Sequence, residues 1–287
     1  MKLGFYTYSY IDRLKQEIEP VLEAVAAAGY DGVDLSATWR DDLDPALMPA
    51  KVRKTYASTA QRLGLEIEAV ITHLGLTQAV WQEQPLNLKG AVDVACDVGA
   101  NLVAVHIGLA DGHPEKAWRM AVDYLRDACE YAAAHQKVIM LDGVYIPSIA
   151  DTAERAVSLI REVDSPAMAH NFDPCYLELS GLSVEQALPP LLPYTVHAHI
   201  KDYTVSAADF PQRIPQGGVF AEQRWFSHEI PGRGVLDHAR YVRLLHESGF
   251  ERYLINECFT DAPFEEALTL GYQTLASVLE ECGARPR

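Results

Sequence analysis

Ala28-Gly29-Tyr30-Asp31-Gly32-Val33 joins the end of an apolar-faced stretch to a short run of β-forming residues. The same junction returns at Gln61-Arg62-Leu63-Gly64-Leu65, at Val98-Gly99-Ala100-Asn101-Leu102 and at Ser248-Gly249-Phe250. In each, a glycine stands where a helix must stop, since glycine takes the left-handed helix-ending conformation without a side-chain clash. The junctions recur roughly every 30–36 residues, the length of one βα unit.

Working outward, short β-type runs alternate with longer amphipathic ones. The strands are expected at 3–10, 32–35, 65–71, 102–107, 138–141, 167–172, 195–200 and 253–256. Several are nearly continuous apolar runs, as parallel strands buried on both faces require. Helices are expected at 17–28, 52–63, 118–134 and 151–162, the last capped by Asp151. Eight such units in about 250 residues is the arithmetic of a (β/α)8 barrel, α/β in class. A doubly wound sheet competes, but it would carry a glycine-rich phosphate turn after its first strand, and Tyr6-Thr7-Tyr8-Ser9-Tyr10 is not one. No linker or shift in composition divides the chain, so residues 1–287 are read as one barrel domain. One connection is unusually long: Tyr203–Gly234, after the seventh strand, shows little periodicity. A barrel places such a loop on its C-terminal face, as a lid, a flap or a contact between subunits.

Of the 287 residues, 49% are hydrophobic, which permits a large core and excludes intrinsic disorder. No apolar run approaches the ~18 residues of a membrane span, and the start lacks the apolar segment of a secretory signal. A cytoplasmic protein is expected. The 24 basic and 40 acidic residues give a net charge of −16, which argues against nucleic acid or an anionic membrane as partner. The five cysteines, Cys96, Cys129, Cys175, Cys258 and Cys282, are widely spaced and include no CxxC. They read as reduced packing residues, with no cationic neighbour in the sequence to activate Cys175 or Cys258.

In a barrel the C-terminal ends of the strands converge on one site. Strand five runs into Asp142, strand six into Asp173, strand seven carries His197-Ala198-His199-Ile200-Lys201-Asp202, and strand eight ends Asn256-Glu257. Any one of these acids could be a helix cap or a salt-bridge partner. Together at one barrel mouth they would be costly unless a positive charge compensates, and Lys201 alone cannot offset three carboxylates. A divalent cation could, and an oxygen-rich set with one imidazole suits Mn²⁺ or Mg²⁺, with Co²⁺ and Zn²⁺ also compatible. His197 and His199 are two apart and share the inward face. His199, nearer the strand end, is the better ligand, while His197 supports it from a layer deeper or packs. His73 and His106, also at strand ends, are placed to touch a substrate.

This series resembles the sugar phosphate isomerase/epimerase superfamily, the xylose isomerase-like TIM barrels. The resemblance covers nearly the whole chain. It is most specific at Asn171-Phe172-Asp173-Pro174, at 197–202, at Pro231-Gly232-Arg233-Gly234-Val235-Leu236-Asp237 and at Asn256-Glu257. It implies one divalent metal held by Asp142, Asp173, His199 and Glu257. Three positions depart from the family pattern. Asp142 replaces the usual Glu and is one methylene shorter, Tyr176 stands where a His is usual, and Arg233 takes the third place of a Pro-Gly-Glu-Gly-type loop. Arg233 at the mouth could bind a hydroxyl, carboxylate or phosphate through its fork.

The chemistry implied is proton transfer between neighbouring carbons of a keto-sugar or polyol-derived ketone, through a metal-stabilised enediolate. Glu257 is the stronger base, Asp142 its partner across the substrate, and Lys201 or His73 polarises the carbonyl. His106, Tyr176, Arg233 and Trp225 complete the expected substrate contacts. The expected partner is a small sugar or cyclitol, with pairing of barrels into a homo-oligomer. A dehydratase or lyase using the same enolate is the close alternative. A non-catalytic sugar-binding subunit and an apurinic-endonuclease-like hydrolase are the more distant ones.

Overall fold

A computed structural model describes residues 1–7, 18–37, 49–75, 88–106, 114–144, 148–205 and 226–285, apart from the side chains of residues 73–75 and 114. Its elements in chain order are β1 (Lys2–Tyr6), α1 (Ile18–Ala28), β2 (Gly32–Ser36), α2 (Ala50–Leu63), β3 (Glu66–Gly75), α3 (Leu88–Val98), β4 (Leu102–His106), α4 (Pro114–Ala134) and β5 (Val138–Asp142). There follow α5 (Ala153–Val163), β6 (Met168–Phe172), α6 (Pro174–Leu179), α7 (Val184–Leu191), β7 (Thr195–Ile200), β8 (Asp202–Val205), β9 (Phe226–Glu229), α8 (His238–Glu247), β10 (Tyr253–Asn256) and α9 (Phe264–Glu281).

Eight parallel strands close into a barrel in the order β1-β10-β7-β6-β5-β4-β3-β2. This is the (β/α)8 fold expected from the repeated junction. Gly29, Gly64, Gly99 and Gly249 all have positive φ, so each ends its helix as read. At Gly29 two demands coincide: φ is +101°, and an added Cβ would lie 2.8 Å from the Tyr272 ring. Strand β1 meets β2 through the pairs Gly4–Gly32 and Phe5–Val33, so the junction delivers β2 directly beside β1.

Two apolar layers follow from the two-residue strand period. Side chains such as Leu3, Phe5, Val33, Val103, Ile139 and Phe172 point outward and pack under the helices. A smaller inner cluster, including Ile71, Leu102, Ala104, Met140, Ala169 and Ile255, fills the barrel.

Two local expectations are corrected. The α5 cap is Thr152, whose side chain accepts from the Arg155 N–H, while Asp151 instead lies 3.4 Å from Arg155 Nε. A hydroxyl one residue nearer the first turn reaches the N3 amide, which the cap position requires. The stretch read as an aperiodic loop contains paired strands: β8 and β9 form an antiparallel pair, with Asp202 opposite Glu229 and Val205 opposite Phe226. A lid at 206–225 lies outside the described residues.

Candidate active site

The strand ends do converge. Asp142 is the last residue of β5, Asp173 follows β6, His199 lies one residue before the end of β7, and Glu257 follows β10. All four are buried. Asp173 also caps α6: its Oδ1 accepts from the N–H groups of Cys175 at 2.9 Å and Tyr176 at 3.1 Å. Its other oxygen is thereby left to the site, 2.9 Å from Lys201 Nζ. Lys201, fully buried, donates to Glu257 Oε2 at 2.6 Å and sits 3.7 Å from the centroid of the Tyr176 ring. The π-face replaces part of the hydration an ammonium loses on burial. Nδ1 of His199 lies 2.8 Å from the same Glu257 oxygen.

The charges are mutually dependent. Burial works against ionised Glu257, but Lys201 and His199 outweigh it and hold the carboxyl down to about 2. Burial pushes Asp173 up, with Lys201 opposing. For His199 burial favours the neutral ring, yet the neighbouring carboxylates, Glu257 foremost, raise its pKa well above the ordinary value.

The donor set fits a divalent cation. Asp173, His199 and Glu257 each offer one ligand atom, all within 4.8 Å of one another. Asp173 Oδ2 and His199 Nδ1 both face this point, held there by Lys201 at 2.9 Å and Glu257 at 2.8 Å, and two carboxylates with one imidazole are a donor set suited to a divalent cation.

Asp142 stands slightly apart from this trio. Its Oδ2 lies 2.9 Å from His106 Nε2 and its Oδ1 accepts from Asn171 Nδ2 at 2.6 Å, with His199 Nδ1 3.6 Å away. Burial opposes its charge, but His106 holds the carboxyl well below its ordinary range, and Asp142 in turn raises His106. The pair links β4 to β5 beside the trio.

Other expected contacts separate. Tyr176 lies against Lys201, inside the site. Arg233 is at the rim and half-exposed, paired with Glu266 at 2.6 Å. The side chain of His73 and all of Trp225 lie outside the described residues. His197 is fully buried, with Nδ1 2.9 Å from Asn171 Oδ1. The glycine-rich segment at 231–237 has a structural explanation. Asp202 accepts from the backbone N–H groups of Tyr203, Gly232, Gly234 and Leu236. A Cβ on Gly234 would lie 2.1 Å from Asp202 Oδ1, so the segment can approach only with glycine there. The cysteines are free, and burial pushes the Cys258 thiol up to about 12 and Cys175 well above its ordinary value, consistent with packing.

Three residues on the site were not singled out from the sequence. Tyr6 stacks on His199 at 6.0 Å, Phe259 stands edge-on to Tyr6 at 6.1 Å, and His228 of β9 packs on Phe259 at 5.5 Å. Burial drives His228 down to about 4, so a neutral, largely aromatic wall faces the charged cluster. A fourth, Asp34 of β2, lies 3.2 Å from His199 Nε2.

Residues 22–282 match the family model described as xylose isomerase-like TIM barrel, and the chain belongs to that family. An inosose dehydratase of Geobacillus thermodenitrificans is 23% identical over 92% of this chain and 90% of its own length. A solved L-ribulose 3-epimerase superposes with a TM-score of 0.76 at 18% identity, over 98% of this chain and 95% of the other. The IOLI protein with a binding zinc atom gives a TM-score of 0.71, 18% identity and 98% coverage of both chains. The structural likenesses carry the fold, within a superfamily of enzymes that includes epimerases and dehydratases.

Proposed function

We propose that the protein is a divalent-metal-dependent isomerase or epimerase of a keto-sugar or polyol-derived ketone. The observation that supports it best is the convergence of Asp173, His199 and Glu257, all buried, with one ligand atom from each within 4.8 Å of the others. Asp142 completes the set from β5, and Mn²⁺ suits the oxygen-rich donors. When bound, the ion supplies Lewis acidity to a substrate carbonyl and its neighbouring hydroxyl, stabilising the charge that develops as the α-proton leaves.

The chain's own groups do the rest. Glu257 takes the proton from carbon. A carboxyl held at about 2 is a weak base while Lys201 donates to it. Turning the ammonium onto the substrate carbonyl oxygen both polarises that bond and restores basicity to Glu257. Asp142, with His106 as its proton partner 2.9 Å away, serves the other face of the substrate. Tyr6 and Phe259 cover apolar C–H surface, and Tyr176 holds Lys201 in place. The acid excess favours an uncharged small molecule over a polyanion. We place the barrel in the cytoplasm as one domain of 287 residues, able to pair with a second copy.

A dehydratase is the second reading, favoured by the inosose dehydratase relative and by the Asp142–His106 pair, which could protonate a departing hydroxyl. Incubation of Mn²⁺-loaded protein with keto-sugars and inososes in D₂O distinguishes them. Carbon-bound deuterium in substrate and isomer, without loss of water, is expected. Net elimination without exchange into the substrate overturns the isomerase reading in favour of the dehydratase.

A further inference from the structure

Both inward histidines of β7 reach one carboxylate. Asp34 sits in the middle of β2, a strand with no exposed residue, and its Oδ2 lies 3.0 Å from His197 Nε2 and 3.2 Å from His199 Nε2. All three side chains are essentially inaccessible. His199 is therefore held by the nitrogen opposite the one that faces Glu257. His197 is tethered in turn to Asn171, whose amide donates to Asp142. Asp34 is thus the common anchor of two branches, one running through His199 to Glu257, the other through His197 and Asn171 to Asp142.

A neutral imidazole presents a bare nitrogen to a cation only when its proton resides on the other nitrogen. A carboxylate at Nε2 holds that proton and fixes the ring plane at the same time. Resting on the metal-dependent reading above, we propose that Asp34 is a positioning residue: it fixes His199 so that Nδ1 is the atom offered to the ion. Burying a charge between two imidazoles would be an expensive way to fill a strand whose neighbours in sequence are Val33 and Leu35. A cation at Asp34, His197 and His199 Nε2 is the competing use of these groups, since their ligand atoms also lie within 4.8 Å of one another.

Two measurements test it. Calorimetric titration of Mn²⁺ into metal-free protein should give one ion per chain, with affinity about 10–100-fold weaker in Asp34→Asn and the circular dichroism of the metal-free protein unchanged. Affinity within twofold of the unaltered protein, or a second tight ion that Asp34→Asn abolishes, overturns the proposal. ¹⁵N NMR of the imidazoles supplies the second readout, and it needs no variant. In the Zn²⁺-loaded unaltered protein, His199 should show metal-shifted Nδ1 and protonated Nε2. The reverse assignment overturns the proposal even if Asp34→Asn fails to fold. If the unaltered protein binds no divalent ion, the metal-dependent reading fails. The NMR of the metal-free protein then decides on Asp34, because a His199 Nε2–H signal insensitive to Asp34→Asn shows that it holds nothing.

Discussion

The floor and the mouth of the barrel are built by the same strands and have opposite characters. The floor is apolar, with Met140 of β5, Ala169 of β6 and Ile255 of β10 among its residues. Two residues further along each strand stand Asp142, Asn171 and Glu257, and the mouth is ionic. One step of the strand period therefore separates packing from chemistry. The floor contributes hydrophobic stability. The mouth holds buried carboxylates that burial alone would neutralise, kept charged by Lys201, His199 and His106.

That contrast can be broken from either side. The largest effect is expected at the mouth: Glu257→Gln should lower proton exchange at the substrate carbon about 10²–10⁴-fold, followed as deuterium incorporation by NMR, with the fold retained. On the floor, Met140→Ala should cost about 2–5 kcal/mol of stability in urea unfolding, while Mn²⁺ affinity stays within twofold. Loss of ion binding in Met140→Ala would show that floor and mouth are not separable. The smallest effect concerns His170, whose buried ring nitrogens have no hydrogen-bond partner and whose pKa burial drives down to about 3. Its unfolded value is near 6.5, so the unfolded chain takes up a proton that the native ring refuses. Its contribution to stability is full above pH 6.5 and is lost as pH falls from there towards 3. His170→Leu should flatten that acid limb in thermal unfolding, whereas an unchanged slope would assign the pH dependence elsewhere.

Much of this was legible in the sequence. The glycine junctions gave the strand spacing, and strand ends 142, 173, 199 and 257 could be read because each acid or imidazole interrupts or closes an apolar run. Asp34 was not, although a lone acid between the apolar Val33 and Leu35 of a strand is a signal. Its partners lie 163 and 165 residues away in the chain, and nothing in one sequence registers that distance. The β8–β9 pair escaped because each strand has four residues and twenty separate them. The cap of α5 was misplaced by one residue, since Asp151 and Thr152 are both competent capping residues and only the helix start decides.

The most direct test is anomalous diffraction from crystals of the protein equilibrated with Mn²⁺. One peak is expected, within bonding distance of Asp173 Oδ2, His199 Nδ1 and Glu257, with Lys201 displaced from the ion. A peak elsewhere, or none in protein saturated with Mn²⁺, would contradict the assignment of these residues to a metal-dependent site.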